Sequence, residues 1–528
     1  MKNIYLEESL KNDYLNLTDF LVFRNIREGR GGNVAISYNG KNFTYQELSE
    51  KISKTSNYFK SIGIKSKTRV ILSISDTPAF VISFFAIIAC DAMAILSNPI
   101  NELVELNDII QKINAEVLII DHEIEKKRKL SPEIINGIRT IFTGDFHLNP
   151  SYLEIAIENQ SNDFLISHAS ADNYAYALLS SGTTGRTKVI PRRHRDILHC
   201  AYAFSENVLH MNSTDKVLAV PKLTFGYALG GALLFSFIYG ASCILFKEKT
   251  TYVKIIELTE SLNPTIFLGT PRMISELLSD NRKKKLKSLR ISTSAGEVLS
   301  PILLEKWNKE IGSPLLDGFG STEVGHIFIS NTQEDTKPQT AGKCLSGFQV
   351  KIIDEKGNEV NEKGIGRLCI RGPSVACEYL NDVERSEQSF NNGWHVSNDM
   401  FSIYNGYLTY FGRADDMIKK GCGEWISPYE IENVILKNNE VLECAVIGET
   451  NENNVIILKA CVVCKDKVII SPSLEERIFN SVKNRWIDFP HKHIERIEFM
   501  DSLPRNSAGK LQRNILGGQT LTEFSYDC

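Results

Sequence analysis

Between residues 69 and 121, short apolar runs of strand type alternate with helical segments, and this alternation restricts the chain's possible folds more than any other feature. RVILSIS (69–75) leads into Asp76-Thr77-Pro78, a helix start ahead of AFVISFFAIIAC; MAILSN follows, then another helical segment, then EVLIID (116–121). Upstream, Thr44 and Glu47 form a capping-box pattern before Leu48, Ile52, Phe59 and Ile62, whose spacing puts apolar side chains on one helix face. Strands that alternate with helices require crossover connections. The expected fold is therefore α/β, with a mainly parallel sheet covered by helices on both faces.

The pattern changes near residue 340. VKIIDEKGNEV, GRLCIRG and GYLTYFG are short strands with Gly turns, as in a β-rich subdomain. After Gly412-Arg413-Ala414-Asp415-Asp416 a fresh pattern begins, with a helix at IENVIL, strands at CAVIGE and IILKACVV, and a helix at EERIFNSVKNRW. These changes divide the chain into a large N-terminal domain, 1–413, and a small α+β C-terminal domain, 414–528.

Composition narrows the function classes. The chain has 528 residues, 42% hydrophobic and 23% charged, with a net charge of −4, so it is globular and has no basic excess to hold nucleic acid. Small molecules become the expected partners. Eleven cysteines, odd in number and scattered, suit a reducing cytoplasm better than a disulfide framework. Glu7, Glu8 and Asp13 interrupt what a signal peptide would need, so cytoplasmic localisation is expected. Leu223 to Phe246 is uncharged, but its glycines and the GAS break at 240–242 suit a buried helix followed by a buried strand rather than a membrane span. Basic runs at Lys126–Lys129, Arg192–Arg195 and Arg282–Lys285 read as solvated loops or helix ends. Cys461-Val-Val-Cys464 and His491-Lys-His493 lack the further ligands that a metal site needs.

The most informative segment is YALLSSGTTGRTKVIPRRH (176–194), an apolar strand entering a loop of small hydroxylated residues. In Ser181-Gly182-Thr183-Thr184-Gly185, glycines let backbone N–H groups approach an anion and hydroxyls add donors, while Lys188 supplies charge. It is not a Walker A loop, because Gly185 and Lys188 are separated and Pro191 prevents a helix from following directly.

SSGTTGRTK resembles the phosphate loop of the adenylate-forming superfamily of acyl-CoA synthetases, non-ribosomal peptide adenylation domains and luciferases. Other segments resemble that family's motifs in order: TSAGEVLSP (293–301), LLDGFGSTEVGH (315–326), GWHVSND (393–399), GRADDMIKK (412–420) and LPRNSAGKLQR (503–513). The resemblance spans nearly the whole chain. It implies a large N-terminal domain, a mobile C-terminal domain, and ATP, Mg²⁺ and coenzyme A as cofactors or co-substrates.

A carboxylate attacking the α-phosphate of ATP meets like-charge repulsion, so the site must neutralise phosphate charge and align the reactants. The resemblance implies that Thr183, Thr184 and Lys188 hold the outer phosphates, that Thr322 touches the α-phosphate and that Glu323 holds Mg²⁺. It places Ala295, Gly296 and Glu297, with Asp317, Gly318 and Phe319, on the nucleotide side. Asp399 would accept from the ribose hydroxyls with Arg413 beside it, and Lys510 would be the catalytic lysine of the first half-reaction. Asp415 matches the hinge, about which the C-terminal domain would turn to bring Gly421, Gly423 and Glu424 to a coenzyme A channel. Two departures stand out: Asn398 replaces the family's usual Gly, and one extra residue lies between Asp416 and Pro428.

KLTFGYALGGA (222–232) and STEVGHIFISN (321–331) resemble the benzoate–CoA and anthranilate–CoA ligase branch. The implied acyl pocket is a compact aromatic slot of Phe225, Gly226, Tyr227, Gly320, His326 and Ile327. Gly226 is expected to leave room for an ortho substituent, and His326 to meet a ring amine, a hydroxyl or the carboxylate. The expected partners are an aromatic carboxylic acid and coenzyme A, with a carrier protein as the alternative thiol acceptor. A non-catalytic aryl-acid-binding homologue is the alternative outside catalysis, and the joint presence of Glu323, Asp399, Arg413 and Lys510 argues against it.

Overall fold

The computed structural model describes residues 11–99, 103–123, 137–144, 152–181, 187–420, 425–452, 455–466, 468–505 and 511–516. The chain forms two compact units: 1–350 with 369–396 and 406–408, and 351–368 with 397–405 and 409–528.

The first unit is built on two sheets. β1 (Val34–Tyr38) and β2 (Lys41–Thr44) form a hairpin that delivers Thr44 to the helix Tyr45–Ser61. The capping box is present there, with Thr44 accepting from Glu47 N–H and the Glu47 carboxylate taking the Thr44 N–H. β3 (Arg69–Ser73), β4 (Met93–Leu96), β5 (Val117–Asp121), β6 (Arg139–Thr143), β7 (Tyr174–Ser181) and β8 (Thr187–Arg193) form a sheet in the order β6-β5-β3-β4-β7-β8. All its pairings are parallel except the closing β7–β8 hairpin. The helix Pro78–Ala89, apolar on every side, is buried almost throughout, as a helix covered by a sheet and by other helices must be.

β9 (Lys216–Ala219), β10 (Ser242–Leu245), β11 (Ile266–Gly269), β12 (Ile291–Ser294), β13 (Leu315–Gly320), β14 (Ile327–Ser330) and β15 (Gly342–Cys344) join the first hairpin in the order β15-β14-β13-β12-β11-β9-β10-β1-β2. The run from β13 to β1 is parallel, the flanking β13–β14, β14–β15 and β1–β2 pairings are antiparallel, and β15 pairs on with the strand Tyr407–Arg413. The uncharged stretch from Leu223 resolves into a helical segment, Gly226–Tyr239, followed by β10. Among the described residues, no helix is long and apolar enough to cross a membrane. One sequence expectation fails here. Arg192 and His194, read as part of a solvated basic run, are fully buried, because the β7–β8 hairpin turns them inward.

In the second unit β16 (Val441–Thr450), β17 (Ile456–Cys464) and β18 (Arg496–Phe499) form a small sheet, packed with the helices Pro428–Ile435 and Pro472–Arg485 around Ile431, Val446, Leu458, Leu474 and Ile478. The segment that carries Lys510 leaves and re-enters described structure at an antiparallel bridge between Arg505 and Leu511. Lys510 itself lies outside the described residues. Arg513 anchors the re-entry: its guanidinium grips both oxygens of the Glu432 carboxylate, and Nη1 also donates to Val446 C=O at 3.1 Å. Removing one partner of such a buried pair leaves the other charge uncompensated. Arg513→Leu is therefore expected to destabilise this unit by about 3–5 kcal/mol, read as an earlier denaturant transition of Trp425 and Trp486 fluorescence. An unchanged transition would exclude the pair as an anchor.

Candidate active site

The site is assembled around the facing ends of β7 and β8. Ser180 faces Lys188 and Ser181 faces Thr187, so the two strands hold both ends of the phosphate loop; Gly182, Thr183, Thr184 and Gly185 lie outside the described residues, and Ser181 is placed by its backbone alone. Thr187 C=O accepts from Lys112 Nζ at 3.1 Å, and Lys112 is itself paired with Asp382 at 2.9 Å. Lys188 Nζ donates to Tyr379 Oη at 3.2 Å, and that hydroxyl donates to Glu323 Oε1 at 3.0 Å. Tyr379 is buried against Phe390, and burial pushes its phenol well above the ordinary range, so it remains a donor at any working pH.

Burial works against charge on Glu323. His395, Lys188 and the Tyr379 hydroxyl more than offset it, holding the carboxyl below its ordinary value. An ionised, hard oxygen donor in a sheltered position suits Mg²⁺. Neither Tyr379 nor His395 was singled out in the sequence. His395 falls within GWHVSND, the same segment that supplies Asp399, whereas Tyr379 lies outside every motif.

Parallel strands β12 and β13 bring the nucleotide-side candidates together at their carboxyl ends, where Ser294 faces Asp317. Ala295 is buried, with Gly296 and Glu297 following it; Gly318 is buried, and Phe319 meets Phe328 edge to face at 5.8 Å. Burial pushes the Asp317 carboxyl well up despite backbone N–H donation from Gly318 and Leu299. Thr322 sits in the turn 321–325, which Gly325 N–H closes onto Ser321 C=O at 2.9 Å.

The aromatic candidates converge on His326. Its ring lies 4.6 Å from Phe235, 5.3 Å from Phe204 and 5.8 Å from Tyr227. Gly230 and Gly231 permit this approach, since a Cβ on either would stand 2.6 Å or 3.1 Å from the imidazole. Tyr227 Oη meets Thr293 Oγ1 at 2.5 Å, tying the helix start to the end of β12. Phe225 caps the same helix start, and Ile327 is buried opposite Gly320. Gly226 does not border open space: a Cβ there would meet Leu178 at 3.1 Å and Gly325 C=O at 3.4 Å. Its lack of a side chain serves this packing.

His326 Nε2 lies 3.2 Å from Tyr227 C=O. A carbonyl only accepts, so Nε2 carries the proton and Nδ1 is a buried lone pair without a partner among the described residues. Burial, partly offset by that carbonyl, pushes the imidazole down to about 4. It is neutral at neutral pH.

The remaining candidates belong to the second unit. Asp399 N–H donates to Ser397 Oγ at 3.0 Å, and Asp399 and Asp415 offset the burial of Arg413 so that its charge is reinforced. Asn398, at the family's Gly position, accepts from Arg367 Nη2 at 2.8 Å and donates to Asp415 Oδ2 at 3.4 Å. Gly421, Gly423 and Glu424 lie outside the described residues.

A strand pair that frames a hydroxyl-rich stretch of sequence, with an ionised carboxylate linked through Tyr379 to Lys188, suits a nucleotide-dependent acid-activating enzyme. The chain belongs to the AMP-binding enzyme family: residues 23–380 match the AMP-binding enzyme model, and residues 430–510 match the AMP-binding enzyme C-terminal domain. It is 31% identical over 509 residues to a benzoate–CoA ligase from Thauera aromatica, covering 94% of this chain and 95% of that one. Its fold matches that of the anthranilate CoA ligase AuaEII in complex with anthranoyl-AMP, with a TM-score of 0.89 and 30% identity over 96% of this chain and 98% of that one. A benzoate CoA ligase from Burkholderia xenovorans LB400 matches with a TM-score of 0.87 and 28% identity, over 95% and 99% of the two chains.

Two outcomes are expected. Tyr379→Phe removes the hydroxyl linking Lys188 to Glu323 and should lower acid-dependent pyrophosphate exchange by about 10–100-fold, the usual effect of losing a group that orients a metal ligand; unchanged exchange would remove Tyr379 from the site. For His326, the unfolded chain binds a proton below its ordinary value of 6.5 that the fold refuses until about 4. Stability should thus fall as pH drops from 6.5 to 4 and level off below. His326→Gln should remove up to ~1.4 kcal/mol per pH unit of that slope, measured by urea unfolding at several pH values.

Proposed function

We propose that the protein is an ATP-dependent ligase that joins an aromatic carboxylic acid to coenzyme A through an acyl-adenylate, releasing AMP and pyrophosphate. The observation that carries this reading is that one short loop, Gly320–His326, supplies both the phosphate-side residues Thr322 and Glu323 and the ring-packed His326. Acid and phosphate are thereby held side by side.

In the first half-reaction the acid's carboxylate attacks the α-phosphate and pyrophosphate leaves. Lys188 and Lys510 bring positive charge to the reacting anions, Thr322 donates to the α-phosphate, and Asp399 and Arg413 fix the ribose. Glu323 would hold Mg²⁺, which when bound neutralises phosphate charge and steadies the leaving group. The neutral His326 leaves Nδ1 as a buried acceptor, which favours a benzoate-type acid bearing a ring amine or hydroxyl. In the second half-reaction coenzyme A thiol attacks the adenylate after the C-terminal domain, 414–528, turns about Asp415. Gly421, Gly423 and Glu424 then line its channel.

Purified protein incubated with ATP, Mg²⁺, coenzyme A and a panel of benzoate, anthranilate, salicylate, cinnamate, butyrate and octanoate should yield aryl-CoA by mass spectrometry. Adenylate without aryl-CoA, with loading of a pantetheinylated carrier protein, would reassign the acceptor; no adenylate with any aryl acid would overturn the reading. Lys510→Ala should lose adenylate formation yet still convert supplied aryl-adenylate with coenzyme A, and equal loss of both half-reactions would defeat its role.

A further inference from the structure

Arg192 lies outside every motif that carries the resemblance, and its side chain is fully buried. Most buried arginines are held by a carboxylate. Here the nearest, Asp196, stands 3.5 Å away and is engaged by Arg193 through both its N–H and its Nε, each at 2.9 Å. The Arg192 fork turns instead to backbone carbonyls. Nη1 donates to Glu323 C=O at 3.0 Å and, at the long limit of 3.5 Å, to Thr322 C=O; Nη2 donates to Val324 C=O at 2.9 Å and also to Ser374 C=O. Ser374 Oγ and Ala376 N–H, each at 2.8 Å, take further bonds to Val324 and Glu323.

We infer that Arg192 is a positioning residue that presents Thr322 and Glu323 to the nucleotide by collecting the carbonyls of their loop. Three consecutive carbonyls gathered on one cation fix the loop backbone, leaving the Glu323 carboxylate to reach Tyr379. The loop is shaped around the guanidinium as well. Gly325 has φ +104°, and a Cβ there would lie 2.5 Å from Arg192 Nη2. A planar five-donor fork can satisfy several diverging acceptors at once, whereas an ammonium on a flexible stem cannot hold them in fixed register.

This inference rests on the roles proposed above for Thr322 and Glu323, and its test separates the two. Arg192→Lys keeps the charge and loses the fork. It should lower aryl-acid-dependent pyrophosphate exchange by about 10–100-fold and raise the Mg²⁺ concentration needed for half-maximal ATP binding about tenfold, the scale seen when a ligand's supporting partner is removed. Conversion of supplied aryl-adenylate by coenzyme A should stay near the wild-type rate, and the Ser321–Gly325 amides should exchange hydrogen faster. An equal fall in both half-reactions, or unchanged loop exchange and Mg²⁺ dependence, would overturn the assignment. If Arg192→Lys does not fold, Gly325→Ala displaces the same guanidinium from the other side without removing it, and unimpaired exchange and ATP binding in that variant would overturn it equally. If the wild-type protein activates no aryl acid, the functional reading fails, while the Mg²⁺ dependence of ATP binding still decides the role of Arg192.

Discussion

A carboxylate taken out of bulk water stays ionised only where neighbouring charge and hydrogen-bond donors replace the lost hydration, and Glu323 meets that condition. Its compensation comes from three separate stretches of chain: Lys188 from the hairpin strand, Tyr379 from a loop beyond residue 370, and His395 from the strand Trp394–Tyr404. Each sits where the first unit's sheets put it. The hairpin sets Lys188, the end of β13 sets the loop that carries Glu323, and the packing of Tyr379 on Phe390 sets the hydroxyl between them. Failure of any of these would leave a buried charge without support, which gives the architecture its strictness.

The surroundings of His326, the proposed acyl side, obey the opposite rule. The surroundings of Glu323 gather charge, and those of His326 exclude it. His326 is packed among Phe204, Tyr227 and Phe235, and burial keeps its imidazole neutral. In the proposed acyl pocket, a protonated imidazole would offer the acid's carboxylate a competing partner away from the phosphate. A neutral ring with one proton committed to Tyr227 C=O leaves only an acceptor there. Charge and its absence are thus separated within a single loop.

The second unit meets a different constraint. The role proposed for Lys510 needs the segment that carries it to be anchored to the rest of its unit. Arg505 and Leu511, on either side of that segment, form an antiparallel bridge, and the buried Arg513–Glu432 pair, with Val446 C=O, ties Arg513 to β16. Asn398 links Arg367 to Asp415 in the same unit, so the departure from the family's Gly gives Asp415, the proposed hinge position, an additional polar neighbour.

The sequence by itself determined the α/β class, the capping box at Thr44, the helix and strand within Leu223–Phe246 and the order of the motifs, because these depend on local spacing and on residue types that few other arrangements use. It also singled out Glu323, Lys188 and His326, whose chemistry is distinctive in context. Tertiary structure alone decided that Tyr379 joins Lys188 to Glu323, since residues 188, 323 and 379 meet only when two sheets are assembled. It decided that Gly226 serves packing against Leu178 and Gly325, and that Arg192, which reads in sequence as one of a run of surface charges, is buried under the loop it supports. The physical reason is common to all three. Periodicity records which face of an element is apolar, but the partner of a polar side chain is fixed by the distance across the fold, and one chain's local pattern carries no trace of that distance.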